Sequence, residues 1–356
     1  MAPSPAEITL ELVPENRFSV IDVNKQVVAR GGDHLLSYPK ALYCSFHTTA
    51  GYFDQRLWDS FEHCSQSMRA YVQSYRNLFP AGADYRHDQM DLRMELSEEQ
   101  RKCEPRNADS HLTFIGAGLE NCVTYTNRPN QPVFFIDLDG VNGKDRRRRR
   151  TTIMGFNRAT VAERTQLVIP VSTHPMDSVN LRDPKLGIID QLNEAIRKRG
   201  ITKGRIDLSL APQERNAGLT VNEFETLLMT HDLVDVLKNP FRFMAEKGKN
   251  MLRDPRAIPY KAKNYAKYDL VQVVNEFLDK TGLSESIVER VIDKFLRLPA
   301  SRALHMKRKA SLLISDNETP GQGSVVQGTY QSPILVQWRK TASQARLLNA
   351  TFVRFE

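Results

Sequence analysis

Cysteine is scarce in this 356-residue sequence, and long apolar runs are missing from it. The cysteines form no CxxC pair, which disfavours a disulfide framework or a zinc knuckle and favours structural, reduced thiols. They are Cys44, Cys64, Cys103 and Cys122. No apolar stretch approaches the ~20 residues of a membrane span, and residues 1–11 have neither the basic start nor the apolar core of a signal peptide. We therefore expect a soluble, cytoplasmic protein that does not act at a membrane.

The length and the 40% hydrophobic content are sufficient for more than one core, because single domains commonly contain ~100–200 residues. The net charge is +8, but five positive charges form one run at residues 146–150. A basic surplus suits phosphorylated partners or nucleic acid. Because no aromatic residues alternate with the run, as stacking on single strands requires, nucleic acid is the less favoured partner.

Hydrophobic periodicity predicts an α+β fold for the first half of the chain. One long helix with an apolar stripe is predicted from residue 55 until Pro80 ends it. Strands are predicted near residues 8–12, 18–28, 41–46, 111–115, 123–126, 133–138 and 151–154.

The second half begins in the same way, with a predicted strand at residues 166–171 and a helix at 186–198. A helical insertion is then predicted at about 201–300. In it, Thr220 and Glu223 have the spacing of a capping box, and residues 270–277 have an amphipathic pattern.

The order of these features predicts an internal repeat. His111 is followed by an apolar strand at 132–135, and His305 is followed by one at 333–336. Residues 43–49 align with 167–173, each ahead of an amphipathic helix. We predict two mixed-sheet domains, at residues 1–157 and 158–356, each with a long packing helix.

His47, Thr48 and Thr49 lie where a predicted strand ends and a Gly51 turn begins. One imidazole beside two hydroxyls suits an anion or a metal-bound phosphate, since hydroxyls donate hydrogen bonds without adding charge. The alternative is that the two threonines only cap the turn.

Two further histidines have acidic neighbours that could orient their rings. His87 is followed by Asp88, while Asn107 and Asp109 precede His111. Three histidines from separate segments are the ligand set of an open zinc site. Dispersed histidines are otherwise surface residues.

Asp137 and Asp139 lie at the end of a predicted strand, where their carboxylates could hold a cation. The adjacent arginine run could hold phosphate. Strand alternation places Arg146 and Arg148 on one side and Arg147 and Arg149 on the other. A solvated charge run is the alternative.

Taken in order, these motifs resemble the YjbQ family, small proteins known as secondary thiamine-phosphate synthases. The resemblance covers residues 5–157. The matching residues are His47-Thr48-Thr49-Ala50, Tyr85 with His87, Asn107 with Asp109 and His111, and Asp139-Gly140 before the arginines.

The resemblance implies a mixed α+β fold, a homo-oligomeric (trimeric) assembly and convergence of His47, His87 and His111 on zinc or another divalent cation. It also implies that a pyrimidine diphosphate is joined to a thiazole phosphate with loss of pyrophosphate. In such a site the three histidines and Asp109 are the catalytic candidates. The candidates for substrate binding are Thr48, Thr49, Asn107, Arg146 and Arg148.

The second half resembles the same family with its chemistry removed. Val171-Ser172-Thr173 stands in the place of the His47 motif, and Gln337-Trp338-Arg339 replaces the acidic strand end. Only His305 keeps its place, and His174 before Pro175 is better explained as a turn residue. The family's Gly-Thr-Trp-Gln stretch is missing from the first half, which has Arg128-Pro129-Asn130-Gln131, and partly survives in the second as Gly328-Thr329-Tyr330-Gln331. Residues 268–296 resemble the helical hairpin of HU-type proteins without its basic arm, so we expect them to pack on neighbouring elements.

The leading hypothesis is an enzyme, a transferase or lyase, that acts on a phosphorylated or sulfated small molecule at the histidine site. In it, the second half completes a pseudo-symmetric interface. One alternative is a biosynthetic enzyme that expels another anion, such as sulfate or phosphate. A second alternative is a non-catalytic protein that binds a metal or an anion.

Overall fold

The computed structural model describes residues 4–129, 131–143, 145–239, 242–243 and 304–356. The first half combines helices with short strands. Its elements are β1 (Ala6–Leu12), β2 (Ser19–Asp22), α1 (Val23–Ala29), β3 (Lys40–Ser45), β4 (Ala50–Gly51), α2 (Gln55–Ser60), α3 (Ser65–Leu78), α4 (Glu98–Cys103), α5 (Ala108–Gly116), β5 (Cys122–Thr126), β6 (Phe134–Asp137), β7 (Val141–Asn142), β8 (Asp145–Arg146) and β9 (Arg149–Phe156).

The second half has longer strands. Its elements are β10 (Ala159–Pro170), β11 (Asp177–Asn180), α6 (Ile188–Lys198), β12 (Gly204–Leu210), β13 (Ala217–Asn222), a π-helical turn (Leu228–Asp232) continued by α7 (Leu233–Lys238), β14 (Lys309–Ser315), β15 (Ser324–Val326), β16 (Ser332–Gln337) and β17 (Ala345–Phe355). The predicted strand at 133–138 and the predicted helix at 186–198 are confirmed as β6 and α6.

Each half contains one larger and one smaller antiparallel sheet. In the first half the strand orders are β1-β9-β3-β5 and β2-β6-β4. In the second half they are β10-β17-β12-β14-β15 and β11-β16-β13. The first half also has a two-stranded sheet, β7-β8. Matched in chain order, the described strands of the two halves have the same arrangement, apart from this sheet and the additional edge strand β15 of the second half. The described residues therefore combine helices with several antiparallel sheets, and the predicted mixture of helix and sheet is confirmed.

The sheet order corrects the predicted alignment of the two halves. β10, which contains residues 167–170, pairs with β17 at the sheet edge, as β1 pairs with β9. β12 lies between β17 and β14, as β3 lies between β9 and β5. The turn after β12, not Val171, therefore occupies the position of the His47 turn. The error arose because both β3 and β10 are apolar strands followed by a turn.

The predicted long helix from residue 55 is two helices, α2 and α3. Glu62 and His63 adopt the left-handed backbone conformation between them, with φ of 53° and 57°. Because that conformation cannot continue a right-handed helix, the chain turns and restarts at Cys64. The apolar spacing continues across the break, which is why periodicity alone did not indicate it.

The predicted strand at 111–115 is also wrong, because these residues lie in α5. Every residue of α5 is buried, so no polar face is present to display the helical period in the sequence. Similarly, the predicted strand at 18–28 ends at Asp22, whose side chain accepts a hydrogen bond from the Lys25 amide and caps α1.

The beginning of the predicted helical insertion is strand. Residues 204–210 and 217–222 form β12 and β13 within the two sheets of the second half. Thr220 lies inside β13, so it does not form a capping box with Glu223. The predicted helix at 270–277 and the hairpin at 268–296 lie outside the described residues.

The two halves pack through their larger sheets and through a shared core. Phe156 of β9 stacks on Phe355 of β17 with ring centroids 3.7 Å apart. Leu228, Leu233 and other apolar residues of the second-half helix belong to the core of the first half. Burial of each such side chain contributes about 1.5–3 kcal/mol, so this packing holds the segment after β13 against the first half. Among the described residues, no helix has the length and apolar character to cross a membrane.

Candidate functional site between the two halves

His87 and the second-half helix are joined by a carboxylate. Asp232 accepts hydrogen bonds from the backbone amides of Arg86 and His87, at 2.9 and 3.0 Å. Asp88, expected to orient a histidine ring, instead accepts a hydrogen bond from the Ala108 amide at the start of α5. The backbone of the histidine segment is thus fixed on one side by the second half and on the other by α5.

The His87 side chain lies between two acceptors and is 1% exposed. Its Nδ1 is 2.8 Å from a carboxylate oxygen of Glu225, and its Nε2 is 3.2 Å from Oδ1 of Asn107. Burial lowers the pKa of His87, but the hydrogen bond and charge of Glu225 outweigh burial and raise it overall. Arg93 Nη1 also approaches Nδ1, at 3.3 Å, and we assign the proton of Nδ1 to the shorter contact with Glu225. The ring therefore donates from both nitrogens as an imidazolium.

Hydrogen bonds and an ion pair connect the His87 imidazolium to Arg147 through Asn107 and Asp139. The Asn107 side-chain amide donates to Asp139 at 2.8 Å. Asp139 also pairs with a terminal nitrogen of Arg147 at 2.8 Å. The Nε of Arg147 is buried and has no hydrogen-bond partner among the described residues. Asn107 thus positions acidic and basic groups, and Arg147 retains one N–H for a further acceptor.

His111 is 0% exposed and has one satisfied nitrogen. Its Nδ1 lies 2.7 Å from Oδ1 of Asn222, whose amide nitrogen donates to the Thr48 carbonyl oxygen at 3.0 Å. Because the Asn222 oxygen is an acceptor, the proton of His111 is on Nδ1 and the lone pair is on Nε2. The Nε2 atom is buried and has no hydrogen-bond partner among the described residues.

The electrostatic surroundings keep His111 neutral. Burial, followed by the charge of His87, lowers the pKa of His111 to about 3. Glu223 Oε2 lies 3.6 Å from Nε2, and burial raises the pKa of the Glu223 carboxyl. A neutral base therefore faces a carboxyl group that holds its proton more tightly than usual.

His47 lies on the other side of the Asn222 bridge and belongs to a basic environment. Its Nε2 accepts a hydrogen bond from the Arg150 amide at 2.7 Å. Burial and the charges of Arg149, Arg147 and Arg150 lower the pKa of His47 to about 3. Its carbonyl oxygen accepts from the side-chain amides of Asn121 and Gln331. The His47 imidazole is neutral and already has a hydrogen-bond donor on Nε2.

The three histidines do not form the predicted zinc ligand set. The rings of His87 and His111 have centroids 5.4 Å apart, but both nitrogens of His87 are engaged as donors, and Nε2 of His47 is engaged as an acceptor. No group of three or more His, Cys, Asp or Glu side chains that could hold a metal ion occurs among the described residues. The donor atoms present therefore do not fit the metal role predicted for His47, His87 and His111.

The predicted threonines have structural contacts. Thr49 is 2% exposed, and its hydroxyl oxygen accepts from Arg149 at 3.3 Å. Arg149 also makes two hydrogen bonds to Asp137, at 2.7 and 2.9 Å. Among the described residues, Thr48 is contacted through its backbone carbonyl, which accepts a hydrogen bond from Asn222. Asp137 is therefore paired with an arginine, and within the described part of the chain neither hydroxyl has a contact that indicates an anion site.

Asp109 and the predicted arginines lie outside the group around His111. Asp109 is bound to Arg17 at 2.6 Å, while burial, opposed by Arg17, raises the pKa of Asp109 to about 6. Arg148 is 78% exposed and contacts Glu11, and Arg146 is exposed on β8. The alternation was predicted correctly, but Arg147 and Arg149 are the residues on the inner side.

The sequence prediction missed the contributions of the second half. Asn222 at the end of β13 contacts His111, and Glu223 and Glu225, which follow β13, lie beside His111 and His87. Gln331, in the Gly-Thr-Tyr-Gln stretch, donates to the Ser45 and His47 carbonyl oxygens at 2.9 and 3.0 Å. The survival of that stretch in the second half was the available signal that the second half supports the His47 turn.

The sequence matches no family model and no curated protein. Solved structures show a similarity that spans about half of this chain. One of them is a YbjQ-like protein of unknown function from Sulfolobus solfataricus P2, which is 14% identical with a TM-score of 0.28. The similarity covers 55% of this chain and 99% of that chain. A hypothetical protein from Aeropyrum pernix K1 has 14% identity, coverage of 53% and 97%, and a TM-score of 0.27. An uncharacterised conserved protein of the YjbQ family from Clostridium acetobutylicum has 12% identity, coverage of 54% and 99%, and a TM-score of 0.23.

Proposed function

We propose that this protein is an enzyme that acts on a phosphorylated small molecule at the site between its two halves. The observation that carries the proposal is the buried Nε2 of His111, which has a free lone pair and no hydrogen-bond partner among the described residues. Leaving a buried acceptor unsatisfied costs about 1–3 kcal/mol. Such a cost is compensated when a substrate N–H or O–H donates to the atom.

His111 is the proposed base and Glu223 its proton partner. A base within hydrogen-bond reach of a substrate proton must be unprotonated before the reaction, and the low pKa of His111 meets that condition. When His111 takes a proton, the carboxyl of Glu223 at 3.6 Å can stabilise the imidazolium in its ionised form. Glu223 is 22% exposed in its side chain, which gives the proton a route towards solvent.

Arg147 is the proposed binding group for the substrate's phosphate. Its Nε–H is buried and without a partner in the described part of the chain, and Asp139 fixes its other end. The arginines that lower the pKa of His47 create a positive potential that favours an anion. A charge-assisted hydrogen bond from Arg147 would hold the phosphate beside His111.

The proposed reaction is a displacement in which a phosphate-type anion leaves. The bond between carbon and the departing oxygen breaks, its electron pair goes to that oxygen, and Arg147 stabilises the charge. The incoming group forms the new bond and gives any proton it carries to His111. The motif resemblance suggests a pyrimidine diphosphate, a thiazole phosphate and departing pyrophosphate; departing phosphate or sulfate would use the same groups.

We further propose that the halves are two copies of one fold, at residues 1–157 and 158–356. The same strand order in both pairs of sheets supports this duplication. The second copy, with helical residues after β13, then completes the site of the first. A homo-oligomer of such chains is the assembly that the resemblance suggests.

The test is turnover by the full chain. A pyrimidine diphosphate is supplied with a thiazole phosphate, other phosphorylated and sulfated metabolites are supplied in parallel, and released pyrophosphate, phosphate and sulfate are measured. His111→Gln should lower the rate about 100-fold or more, since general-base catalysis typically contributes that much. His174→Gln, an exposed histidine outside the site, should retain the wild-type rate.

Circular dichroism checks that both variants fold, and Glu223→Gln provides a second variant if His111→Gln does not. Equal turnover in folded wild type and His111→Gln would overturn the proposed role of His111. Retention of a phosphorylated compound without any turnover would instead support a non-catalytic anion-binding protein.

A further inference from the structure

A pocket of about 620 Å³ lies at the end of the larger sheet in the second half. Its walls come from β10, the turn after β12, the turn after β16 and the start of β17. The residues that determine its charge are Glu214, Arg215, Arg339, Lys340 and Arg346. None of them belongs to the site between the halves.

The pocket occupies the same place in the second half as the turn of His47 and Thr49 occupies in the first. Thr151 pairs with Ser45 in the first half, and Leu348 pairs with Leu210 in the second. Arg149 and Arg346 each precede their paired residue by two positions. Both arginines thus stand at the same point of equivalent strands.

The two arginines also make equivalent contacts. Arg149 donates to Asp137 and, at 2.7 Å, to the carbonyl oxygen of Asp139. Arg346 donates to Gln337 at 3.2 Å and to the carbonyl oxygen of Arg339 at 2.5 Å. Gln337 therefore replaces Asp137, and Arg339 replaces Asp139, around a retained buried arginine.

These replacements make the second-half strand end strongly basic. The Oε2 atom of Glu214 lies 2.9 Å from Nη1 of Arg346, so Glu214 is the carboxylate partner of Arg346 as Asp137 is of Arg149. Ala50 pairs with Asp137 and Ala217 pairs with Gln337, so Arg215 holds the position of Thr48. The acidic Asp139 position becomes Arg339, and Lys340 follows it. The pocket thus has four basic side chains and one acidic side chain, a formal charge of +3.

Three of the basic side chains are available to a ligand. Arg215, Arg339 and Lys340 are exposed, while the carboxylate of Glu214 is paired with Arg346. Arg346 is buried behind them and fixes the strand end. Val168 and Leu347 add an apolar wall at the pocket edge.

We propose that this pocket binds a small polyanion, a molecule with a diphosphate or two phosphate groups. A volume of about 620 Å³ lies within the ~300–1,000 Å³ typical of small-molecule sites. Guanidinium groups bind phosphate oxygens through paired hydrogen bonds. The concave shape favours a compact ligand over an extended polyanion, and the apolar wall suits an organic group attached to the phosphates.

The binding experiment uses the full chain, with pyrophosphate as the probe, and isothermal titration calorimetry. The double variant Arg215→Gln/Arg339→Gln should bind pyrophosphate at this pocket at least tenfold more weakly. The matched control Arg197→Gln/Lys198→Gln removes two exposed positive charges from the end of α6 and should bind as the wild type does. Arg147→Gln removes the phosphate-binding group proposed for the site between the halves, so it should remove pyrophosphate binding at that site and retain the binding that depends on Arg215 and Arg339.

Absence of pyrophosphate binding, equal weakening in the matched control, or loss of binding only in Arg147→Gln would each overturn the proposal. Tighter binding of a single-stranded oligonucleotide that needs Arg215 and Arg339 would overturn the assignment to a small molecule. Because these residues lie outside the site between the halves, the proposal does not depend on the enzymatic function.

Discussion

The Nε2 atom of His111 lies 3.6 Å from Oε2 of Glu223, and the two residues come from opposite halves of the chain. Asn222, the residue before Glu223, binds the other nitrogen of the same ring at 2.7 Å. Two consecutive residues of the second half therefore determine the tautomer of His111 and face its lone pair. The proposed base and its proton partner exist only when the halves are packed together.

Removal of the Glu225 carboxylate should lower the pKa of His87 and change how the free energy of unfolding depends on pH. In the wild type, the raised pKa of His87 adds stability below its unfolded pKa of about 6.5, which is lost as pH rises through the folded value. Burial raises the pKa of Glu225, but the hydrogen bond with His87 and the backbone hydrogen bonds lower it overall. Glu225 therefore stabilises the protein above its unfolded pKa, and this stability is lost as pH falls through the folded pKa.

Glu225→Gln should lower the free energy of unfolding near neutral pH by about 3–5 kcal/mol, because one partner of a buried pair remains. The His87 pKa should fall in an NMR titration of the ring protons, and urea unfolding at several pH values reports the stability. Glu194→Gln, on α6 and outside this pair, is the control. An unchanged His87 pKa in Glu225→Gln would contradict the assigned imidazolium.

Acid should destabilise the protein through His111. Its folded pKa of about 3 lies below the unfolded value of about 6.5. The unfolded chain therefore binds a proton first as pH falls below about 6.5, and stability is lost from that pH down to about 3. The slope is at most about 1.4 kcal/mol per pH unit for one group.

His111→Gln should have a shallower loss of unfolding free energy between pH 6.5 and pH 4 than the wild type. His174→Gln should retain the wild-type slope, since that side chain is exposed. Identical slopes in wild type and His111→Gln would show that His111 does not stay neutral in the folded protein.

The sequence predicts those parts of the fold whose signals are local. β6 and α6 were predicted because their apolar pattern is complete within a few residues. α5 was predicted as a strand because it is buried on every side, and the break at Glu62 and His63 depends on backbone angles that the apolar stripe does not indicate.

The candidate site was predicted in part for a similar reason. His47, His87 and His111 are identifiable in the sequence, but their partners Asn222, Glu223 and Glu225 become neighbours only through packing of the two halves. Arg147 could be separated from Arg148 only once the strand register was known.

Arg147 and Arg148 offer a direct test of the phosphate site. Arg147→Gln removes the buried N–H that has no partner in the described residues, and charge-assisted hydrogen bonds contribute about 1.5–3 kcal/mol. We expect kcat/KM for a phosphorylated substrate to fall by about 10- to 100-fold. Arg148→Gln changes an exposed residue bound to Glu11 and should leave kcat/KM unchanged. Equal effects of the two substitutions would indicate a general effect of charge.

Gly328→Ala tests how the second half supports the His47 turn. A Cβ at Gly328 would overlap the carbonyl oxygen of Phe46, so the Gly328 segment would have to move away from residues 45–47. The two hydrogen bonds from Gln331 to the Ser45 and His47 carbonyls would then lengthen. We expect Gly328→Ala to lower the free energy of unfolding by about 1–3 kcal/mol, the usual cost of overpacking, and to reduce turnover.

The neighbouring Thr329→Ala is the matched control, because the Thr329 side chain is exposed and the residue accepts a hydrogen bond from Arg182 through its backbone carbonyl oxygen, which the substitution retains. It should unfold at the wild-type denaturant concentration. Hydrogen exchange of the Arg150 amide, which donates to His47, distinguishes a local from a global effect. In Gly328→Ala, the Arg150 amide should exchange faster than global unfolding explains, which would show that the second-half turn holds His47 in place. If Gly328→Ala had the exchange rate and stability of the wild type, this role of the turn would be contradicted.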